Sequence, residues 1–304
     1  MVHTCGHRLL RARRGVAAVA LRSQAKTLIN RGLAPLGLRL QTRTAELAEM
    51  ARLRRLEMAG HFARPAFPVP PQFHACDPKP LLEAVAGFRE QTARFARPGR
   101  DGGYSFDNDY FTSPDAEIGY ALVRQLNPRQ IIEVGSGNST QLFRAAITDG
   151  KLRTALVSID PSPRTAIGAV ADRVVMERVE DVPASYLADT LQDGDILFID
   201  SSHESRTGND VVELFLKVIP ALRAGVVVHV HDVFLPFDYP REWIVEHRWG
   251  WNEQYLVQAM LQGSNEFDVL WPAHFLQRTW PGFAGHFDET SRGNACSLWL
   301  RKIA

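Results

Sequence analysis

From about residue 113 onward, short apolar runs alternate with helical stripes of apolar residues. Five such runs predict buried strands, namely 130–134, 154–159, 173–176, 195–199 and 226–230. Between them, apolar residues at helical spacing mark the buried faces of helices, as at Leu142, Phe143, Ala146 and Ile147. Strands and helices that alternate at this spacing predict a parallel sheet with helices on both faces, an α/β Rossmann-like fold.

Regular elements are also predicted at the start and at the end of this region. Ser113-Pro114 predicts a helix start, because proline suits the first helical position and two acids follow in the first turn. After the fifth strand, the chain predicts a helix around 255–260 and two further strands at 267–270 and 297–300. Residues 113–304 are therefore expected to form the main domain.

The preceding chain divides into two segments of different composition. Residues 1–64 are rich in Ala, Leu and Arg and predict a basic helical extension. Residues 65–112 begin with closely spaced prolines and predict an extended linker, followed by a helix that leads into the main domain.

The net charge of +1 conceals a strong asymmetry. Residues 1–60 carry twelve Lys or Arg and three acids, so the extension is basic and the remainder is acidic. Such an arm fits a solvated helical face, a peripheral contact with a membrane surface or a protein partner, or packing between subunits of a homo-oligomer. Residues 1–60 contain no Phe, Trp or Tyr, so a stacking nucleic-acid interface is not expected.

Three cysteines without close spacing indicate neither a disulfide framework nor a zinc motif of paired cysteines. This usage fits a reducing compartment, and we expect a cytoplasmic protein. The Arg-rich start of the chain is also compatible with a mitochondrial-type presequence.

An acidic residue lies at or just beyond the end of each of the five predicted strands. These residues are Glu133, Asp160, the pair Glu180-Asp181, Asp200 and Asp232. Ligands of open α/β sheets bind at the carboxyl ends of the strands. Any one of these acids could simply cap a helix, but the whole set indicates a ligand site.

The turn after the first strand indicates the kind of ligand. The segment 131–140 reads IIEVGSGNST, in which a strand enters a two-glycine turn and then a helix. Thr140 replaces the third glycine of the dinucleotide fingerprint, and Glu133 suits a cationic amino group. Asp160, 23 residues after Gly137, has the spacing of a ribose-binding carboxylate. These features describe an adenosine-containing ligand without a pyrophosphate, such as S-adenosylmethionine (SAM).

The same motifs carry a family resemblance. Residues 113–304 resemble class I SAM-dependent methyltransferases, in particular a bacterial group acting on small molecules or glycans. The matching motifs are EVGSGNST at 133–140, FIDSSH at 198–203, HD at 231–232, DYF at 109–111 and WNEQY at 251–255. The resemblance implies a seven-stranded sheet with an antiparallel last strand. It also implies that the glycines line the methionine portion of SAM, Asp160 binds ribose, and Glu180 or Asp181 lies beside adenine. The resulting set of expected cofactor residues is Glu133, Gly135, Ser136, Gly137, Ser139, Asp160, Glu180, Asp181 and Asp200.

Methyl transfer to a hydroxyl requires an aligned acceptor and removal of its proton. Asp200, His203 and Asp232 are the expected catalytic residues, since they follow the fourth and fifth strands. In one interpretation, Asp200 and Asp232, together with His231 or His203, hold Mg²⁺ or another divalent cation that lowers the pKa of the acceptor. In the other, His203 acts as a general base without a metal. Asp200 and His203 could also merely order the turn.

Other residues near these strands have less specific interpretations. His229 alternates with valines inside a strand and is expected to be a core histidine. Tryptophans at 243, 249 and 251 could wall an acceptor pocket, and segment 234–240 could form a lid.

The sequence thus predicts a SAM-dependent methyltransferase that O-methylates a small molecule or a sugar. A nicotinamide-dependent Rossmann oxidoreductase and a non-catalytic SAM-binding protein remain as alternatives.

Overall fold

The apolar runs of the second half of the chain form the strands of one sheet. In the computed structural model, which describes residues 25–97, 103–164, 167–287 and 295–304, this sheet has seven strands. The strands are β1 Gln130–Val134, β2 Ala155–Ile159, β3 Arg173–Val175, β4 Ile196–Ile199, β5 Val227–Val230, β6 Phe267–Pro272 and β7 Leu298–Lys302.

The strand order is β3-β2-β1-β4-β5-β7-β6. Strands β1 to β5 are parallel, and β7 is antiparallel to both of its neighbours, β5 and β6. The predicted Rossmann-like α/β fold with an antiparallel last strand is therefore confirmed.

Helices connect and cover these strands. Their bounds are α1 at residues 25–33, α2 Thr44–Met58, α3 Pro71–Ala75, α4 Lys79–Gly87, α5 Arg89–Thr92, α6 Asp115–Leu126, α7 Asn138–Gly150, α8 Ala184–Thr190, α9 Asp210–Glu213, α10 Ile219–Ala221, α11 Glu253–Gly263 and α12 Ala273–Thr279. A π-helical segment, Leu214–Val218, joins α9 to α10, and a second one covers Glu242–Glu246. Short 3₁₀ turns lie at Ala34–Leu36, His61–Ala63, Ala93–Ala96, Val179–Asp181 and Phe283–His286.

The chain divides into two compact units, Met1–Met58 and Ala59–Ala304. The boundary falls six residues before the one expected from composition, and the proline-rich segment after residue 64 belongs to the larger unit. In the smaller unit, none of the residues 25–58 is buried. Arg43 pairs with Glu46 and Arg52 with Glu49 on its surface. Among the described residues, no helix has the length and apolarity needed to cross a bilayer.

The central strands carry the core of the larger unit. All residues of β1, β4 and β5 are buried, as expected for parallel strands covered on both faces. Trp271 of β6 and Trp299 of β7, the last two strands in the sheet order, are fully buried. Each such side chain contributes roughly 1.5–3 kcal/mol through removal of its apolar surface from water.

The register of the parallel strands aligns their carboxyl ends. Val134 of β1 pairs with Ile199 of β4, which in turn pairs with Val230 of β5. The Asp200 amide donates to the Val134 carbonyl, and the His231 amide donates to the Ile199 carbonyl, so the alignment continues one residue beyond the strands. The residues that follow these strands consequently share one edge.

The segment after β5 is held in place by the proline-rich linker. The amides of Ala66 and Phe67 both donate to the Pro236 carbonyl, and His61 Nε2 lies 2.7 Å from Asp238 Oδ2. Tyr239 of this segment is buried. The expectation that 234–240 forms a lid is therefore wrong for this structure, because the segment is packed and clamped and has no exposed tip.

Glu133 joins three elements inside the fold. Its carboxylate is fully buried in β1 and accepts hydrogen bonds from Ser139 and Thr140 of α7 and from Ser158 of β2. Burial raises the pKa of Glu133 to about 7, and the three hydroxyls only partly offset this shift.

Replacement of Glu133 by Gln should remove a pH-dependent loss of stability. The carboxyl group is protonated in the folded protein below about pH 7, whereas the ordinary pKa is 4.5. Its contribution is therefore complete below about pH 4.5 and is lost as the pH rises through 7, by about 3 kcal/mol. Urea unfolding of both proteins at pH 5 and pH 8 measures this difference. Equal pH dependence in wild type and E133Q would contradict it.

Candidate active site

A cavity of about 710 Å³ opens at the shared carboxyl edge of the sheet. Its walls come from the loops after β1, β2, β3 and β4, at residues 134–136, 159–162 and 164, 178–180, and 200–202, 204 and 206–210. This volume lies within the range of about 300–1,000 Å³ that is usual for small-molecule sites.

Gly135 brings the loop after β1 against the end of β4. Its φ is +83°, and a Cβ at this position would lie 1.8 Å from the Asp200 carbonyl oxygen. Only glycine tolerates both the left-handed backbone and this close approach. The turn and Asp200 are thereby held side by side in the cavity wall.

Asp160 is fixed in the opposite wall by the same turn. The Ser136 amide and hydroxyl donate to Asp160 Oδ2 at 2.9 and 2.7 Å, and the Ser162 amide donates to Oδ1 at 2.8 Å. The carboxylate lines the cavity with lone pairs that remain available to a ligand hydroxyl.

The structure separates the expected cofactor residues into two groups. Those that line the cavity are Gly135, Ser136, Asp160, Glu180 and Asp200, and those that do not are Glu133, Gly137, Ser139 and Asp181. Glu133 and Ser139 are buried beneath the turn and bond to each other. The carboxylate of Glu133 therefore supports the turn from below, and its expected contact with an amino group has no support in this arrangement.

Beside Asp200 lies a cluster of two carboxylates and an imidazole. His203 Nε2 is 3.3 Å from Asp200 Oδ1 and 3.5 Å from Asp232 Oδ2. Both His203 and Asp232 have left-handed backbones, with φ of 59° and 56°. Such conformations cost about 1–3 kcal/mol each and concentrate at functional sites. The three predicted catalytic residues are thus brought together.

Glu253, the first residue of α11, completes this cluster. His203 Nδ1 lies 2.9 Å from Glu253 Oε2, and the His203 carbonyl accepts from the Asn252 and Glu253 amides. Glu253 entered the sequence analysis only as part of the WNEQY motif, because no local signal reveals a partner 50 residues away. The bond fixes which ring nitrogen faces the two aspartates.

The electrostatics of the cluster favour an imidazolium in the absence of other ligands. Burial opposes the charge on His203, but the hydrogen bonds with Asp200 and Glu253 and the charge of Asp232 raise its pKa well above the usual value. Burial likewise disfavours the charge of Asp200, yet the nearby histidines bring its pKa below the usual value. A positive charge is thus stabilised between the carboxylates.

His231 does not join this cluster, contrary to its predicted place beside Asp200 and Asp232 in a metal site. Its Nε2 lies 3.2 Å from the Tyr110 carbonyl and 3.6 Å from Cys296 Sγ, and 4.0 Å from Asp232 Oδ1. Both residues lie just beyond β5, and the left-handed backbone of Asp232 directs the two neighbouring side chains to different surroundings.

His229 has the expected core role. It is fully buried, stacks on Phe198 with ring centroids 3.9 Å apart, and bonds through Nε2 to the Ser297 hydroxyl. Burial lowers its pKa well below the usual value, so the ring is neutral.

Tryptophan rings cover the outer side of His203. Trp251 lies over the imidazole with centroids 4.3 Å apart, Trp249 stacks on Trp251 at 4.5 Å, and Trp243 packs against both. Trp249 is 39% exposed, so this wall reaches from the cluster to solvent.

Residues 132–233 match the model of a family described as a methyltransferase domain. This range begins within β1 and ends just after β5, so it includes the glycine turn, Asp160 and the cluster of Asp200, His203 and Asp232. This third of the chain is thus a methyltransferase domain. The alternative of a nicotinamide-dependent oxidoreductase is accordingly set aside.

Two solved structures show remote likeness to this methyltransferase. The methyltransferase PaMTH1 of Podospora anserina, bound to S-adenosylhomocysteine (SAH), is 21% identical with a TM-score of 0.40, over 73% of this chain and 88% of that one. An O-methyltransferase of Bacillus cereus in complex with SAH is 13% identical with a TM-score of 0.38, over 73% and 91%. No curated protein sequence matches this chain.

Substitution of Gly135 by Ala should disrupt the cofactor turn of the methyltransferase. The methyl group would meet the Asp200 carbonyl in a backbone conformation that alanine disfavours, which we expect to cost more than about 2 kcal/mol. Gly263→Ala is the matched control, since its added methyl group has no atom within 4 Å and its backbone is not left-handed. Thermal unfolding and SAM calorimetry should show loss in G135A alone, and wild-type behaviour of G135A would refute the account.

Proposed function

We propose that this methyltransferase transfers the methyl group of SAM to a hydroxyl of a small molecule or sugar, assisted by a divalent cation. One observation carries the proposal. Asp200 lines the cofactor cavity and at the same time faces His203 Nε2 beside Asp232. A hydroxyl at this cluster would lie next to the cofactor.

The residues of the cluster fit a cation. Asp200, His203 and Asp232 can each direct one donor atom to a common point, with all three atoms within 4.8 Å of one another. Atoms that share one ion at bonds of about 2.0–2.2 Å lie roughly 3.0–3.5 Å apart, close to the 3.3 and 3.5 Å found here. The bond from Glu253 to the other ring nitrogen is the usual support of a ligating histidine.

Two oxygens and one imidazole nitrogen suit Mn²⁺, Zn²⁺ or a related ion better than Mg²⁺, which prefers oxygen ligands alone. When bound, such an ion lowers the pKa of a hydroxyl that it contacts.

The remaining roles belong to the side chains themselves. Asp160, fixed by Ser136, would accept the ribose hydroxyls of SAM. Glu253 holds the proton on His203 Nδ1, so Nε2 is the atom that would face a cation. With no cation bound, Nε2 can take the hydroxyl proton only after the imidazolium has lost its own. The hydroxyl proton passes to this Nε2 or to solvent, and the oxygen bonds to the methyl carbon as the carbon–sulfur bond breaks, giving a methyl ether and SAH.

The tryptophan wall supports an acceptor with a flat apolar face. Trp251 covers His203, and Trp249 extends the wall outward. Sugar rings and aromatic rings both pack on such surfaces, and the acidic and amide groups nearby can bond to further hydroxyls.

Variants of the cluster should separate catalysis from cofactor binding. His203→Gln and Asp232→Asn should lower kcat by at least 100-fold and leave SAM affinity near the wild-type value, because neither residue lines the cavity. Asp160→Asn should instead weaken SAM binding. SAH formation over a panel of hydroxylated acceptors, with SAM calorimetry, provides both measurements. Full turnover in H203Q and D232N would exclude the cluster from the chemistry.

Removal of the cation should abolish most of the activity. Dialysis against a chelator is expected to reduce turnover at least tenfold, and Mn²⁺ or Zn²⁺ should restore it in wild type but not in Asp200→Asn. If the chelated protein keeps full activity and contains no metal, the cation is excluded and His203 alone remains as the base.

A further inference from the structure

A second cluster of metal-ligating side chains lies in the interior and has no part in the chemistry above. It consists of Asp115, His231 and Cys296, whose exposed fractions are 3%, 4% and 8%. They come from three separate elements: the first residue of α6, the residue after β5, and the segment that leads into β7. One carboxylate, one imidazole and one thiol meet here from distant parts of the chain.

The distances within this cluster match those around a single tetrahedral ion. Cys296 Sγ lies 3.5 Å from Asp115 Oδ2 and 3.6 Å from His231 Nε2, and all three atoms are within 4.8 Å of one another. Bonds to zinc measure about 2.3 Å from sulfur and about 2.0–2.1 Å from nitrogen or oxygen. At tetrahedral angles, these bonds place sulfur about 3.5 Å from the other two donors.

The three atoms that face one another also have hydrogen-bond contacts outside the cluster. Asp115 Oδ2 accepts from the amides of Cys296 and Ser297, and His231 Nε2 lies 3.2 Å from the Tyr110 carbonyl oxygen. A bound ion would have to replace the contact of His231 with Tyr110, whereas the amide bonds to Asp115 could persist, because a carboxylate oxygen has more than one lone pair.

The charges of the three side chains fit a divalent cation. No Lys or Arg of the described chain forms an ion pair with Asp115, which lies 3% exposed beside a neutralisable thiol. A carboxylate, a thiolate and a neutral imidazole together balance a divalent cation, whereas an isolated buried carboxylate is costly.

We propose that Asp115, His231 and Cys296 form a site for a thiophilic divalent cation of the zinc class, separate from the cluster of Asp200, His203 and Asp232. A mixed oxygen, nitrogen and sulfur set selects zinc or cobalt over magnesium or calcium. The bound ion would join the start of α6 and the approach to β7 to the end of β5. It would thereby hold the backbone at His231, immediately before Asp232, and act as a structural brace.

Cobalt substitution tests this site directly, because Co²⁺ bound to a thiolate gives a sulfur-to-metal charge-transfer absorption in the near ultraviolet. The full chain is stripped with a chelator and titrated with Co²⁺. The matched control is the C5S/C76S double variant, which removes the other two cysteines and leaves Cys296 as the sole thiol. A D200N variant removes a carboxylate of the other cluster and leaves Asp232, which interacts with the Cys296 thiol.

We expect the absorption to appear with one equivalent of thiolate-bound Co²⁺ in wild type, C5S/C76S and D200N. Cys296→Ser should abolish it, and Asp115→Asn should weaken Co²⁺ binding at this site at least tenfold. Circular dichroism of C296S shows whether that variant is folded.

Two results would overturn the proposal: wild type without the absorption at saturating Co²⁺, or C296S with the absorption intact. The first result does not depend on the folding of any variant. It would leave a thiol–carboxylate hydrogen-bond network as the account of the cluster.

Discussion

The close contact between Gly135 and the Asp200 carbonyl is the constraint on which the site depends. It presses the turn after β1 against the end of β4. Asp200 therefore contributes its backbone carbonyl to this contact and its carboxylate to the cavity wall. The parallel register of β1, β4 and β5 makes this contact possible, because all three strands end at the same level. The cavity and the cluster of Asp200, His203 and Asp232 are adjacent for this reason.

The acids at the strand ends divide into two physical types. Asp160 and Asp200 lie in the cavity wall, whereas Glu133 lies below it, enclosed by three hydroxyls. A charge in the first position can meet a ligand. A carboxyl group in the second shapes the turn and pays for its burial with a raised pKa. The sequence motif contains both types without distinguishing them.

Periodicity identified the strands, the fold and the edge that carries the site, because these depend on local patterns. It also placed Asp200, His203 and Asp232 near one another, since they follow adjacent strands. It misplaced His231, because the direction of a side chain just after a strand depends on local backbone geometry, here including the left-handed Asp232. Glu253 and the pairing of Asp115 with Cys296 were not predicted, since the latter two are 181 residues apart in the chain.

The hydrogen bonds between the proline-rich linker and segment 234–240 bear on which parts of the chain can change independently. Ala66 and Phe67 share a single acceptor, Pro236, and His61 contacts Asp238, so the backbone that follows Asp232 is anchored from outside the sheet. Substitutions in the linker can therefore shift this backbone while every residue that lines the cavity stays unchanged.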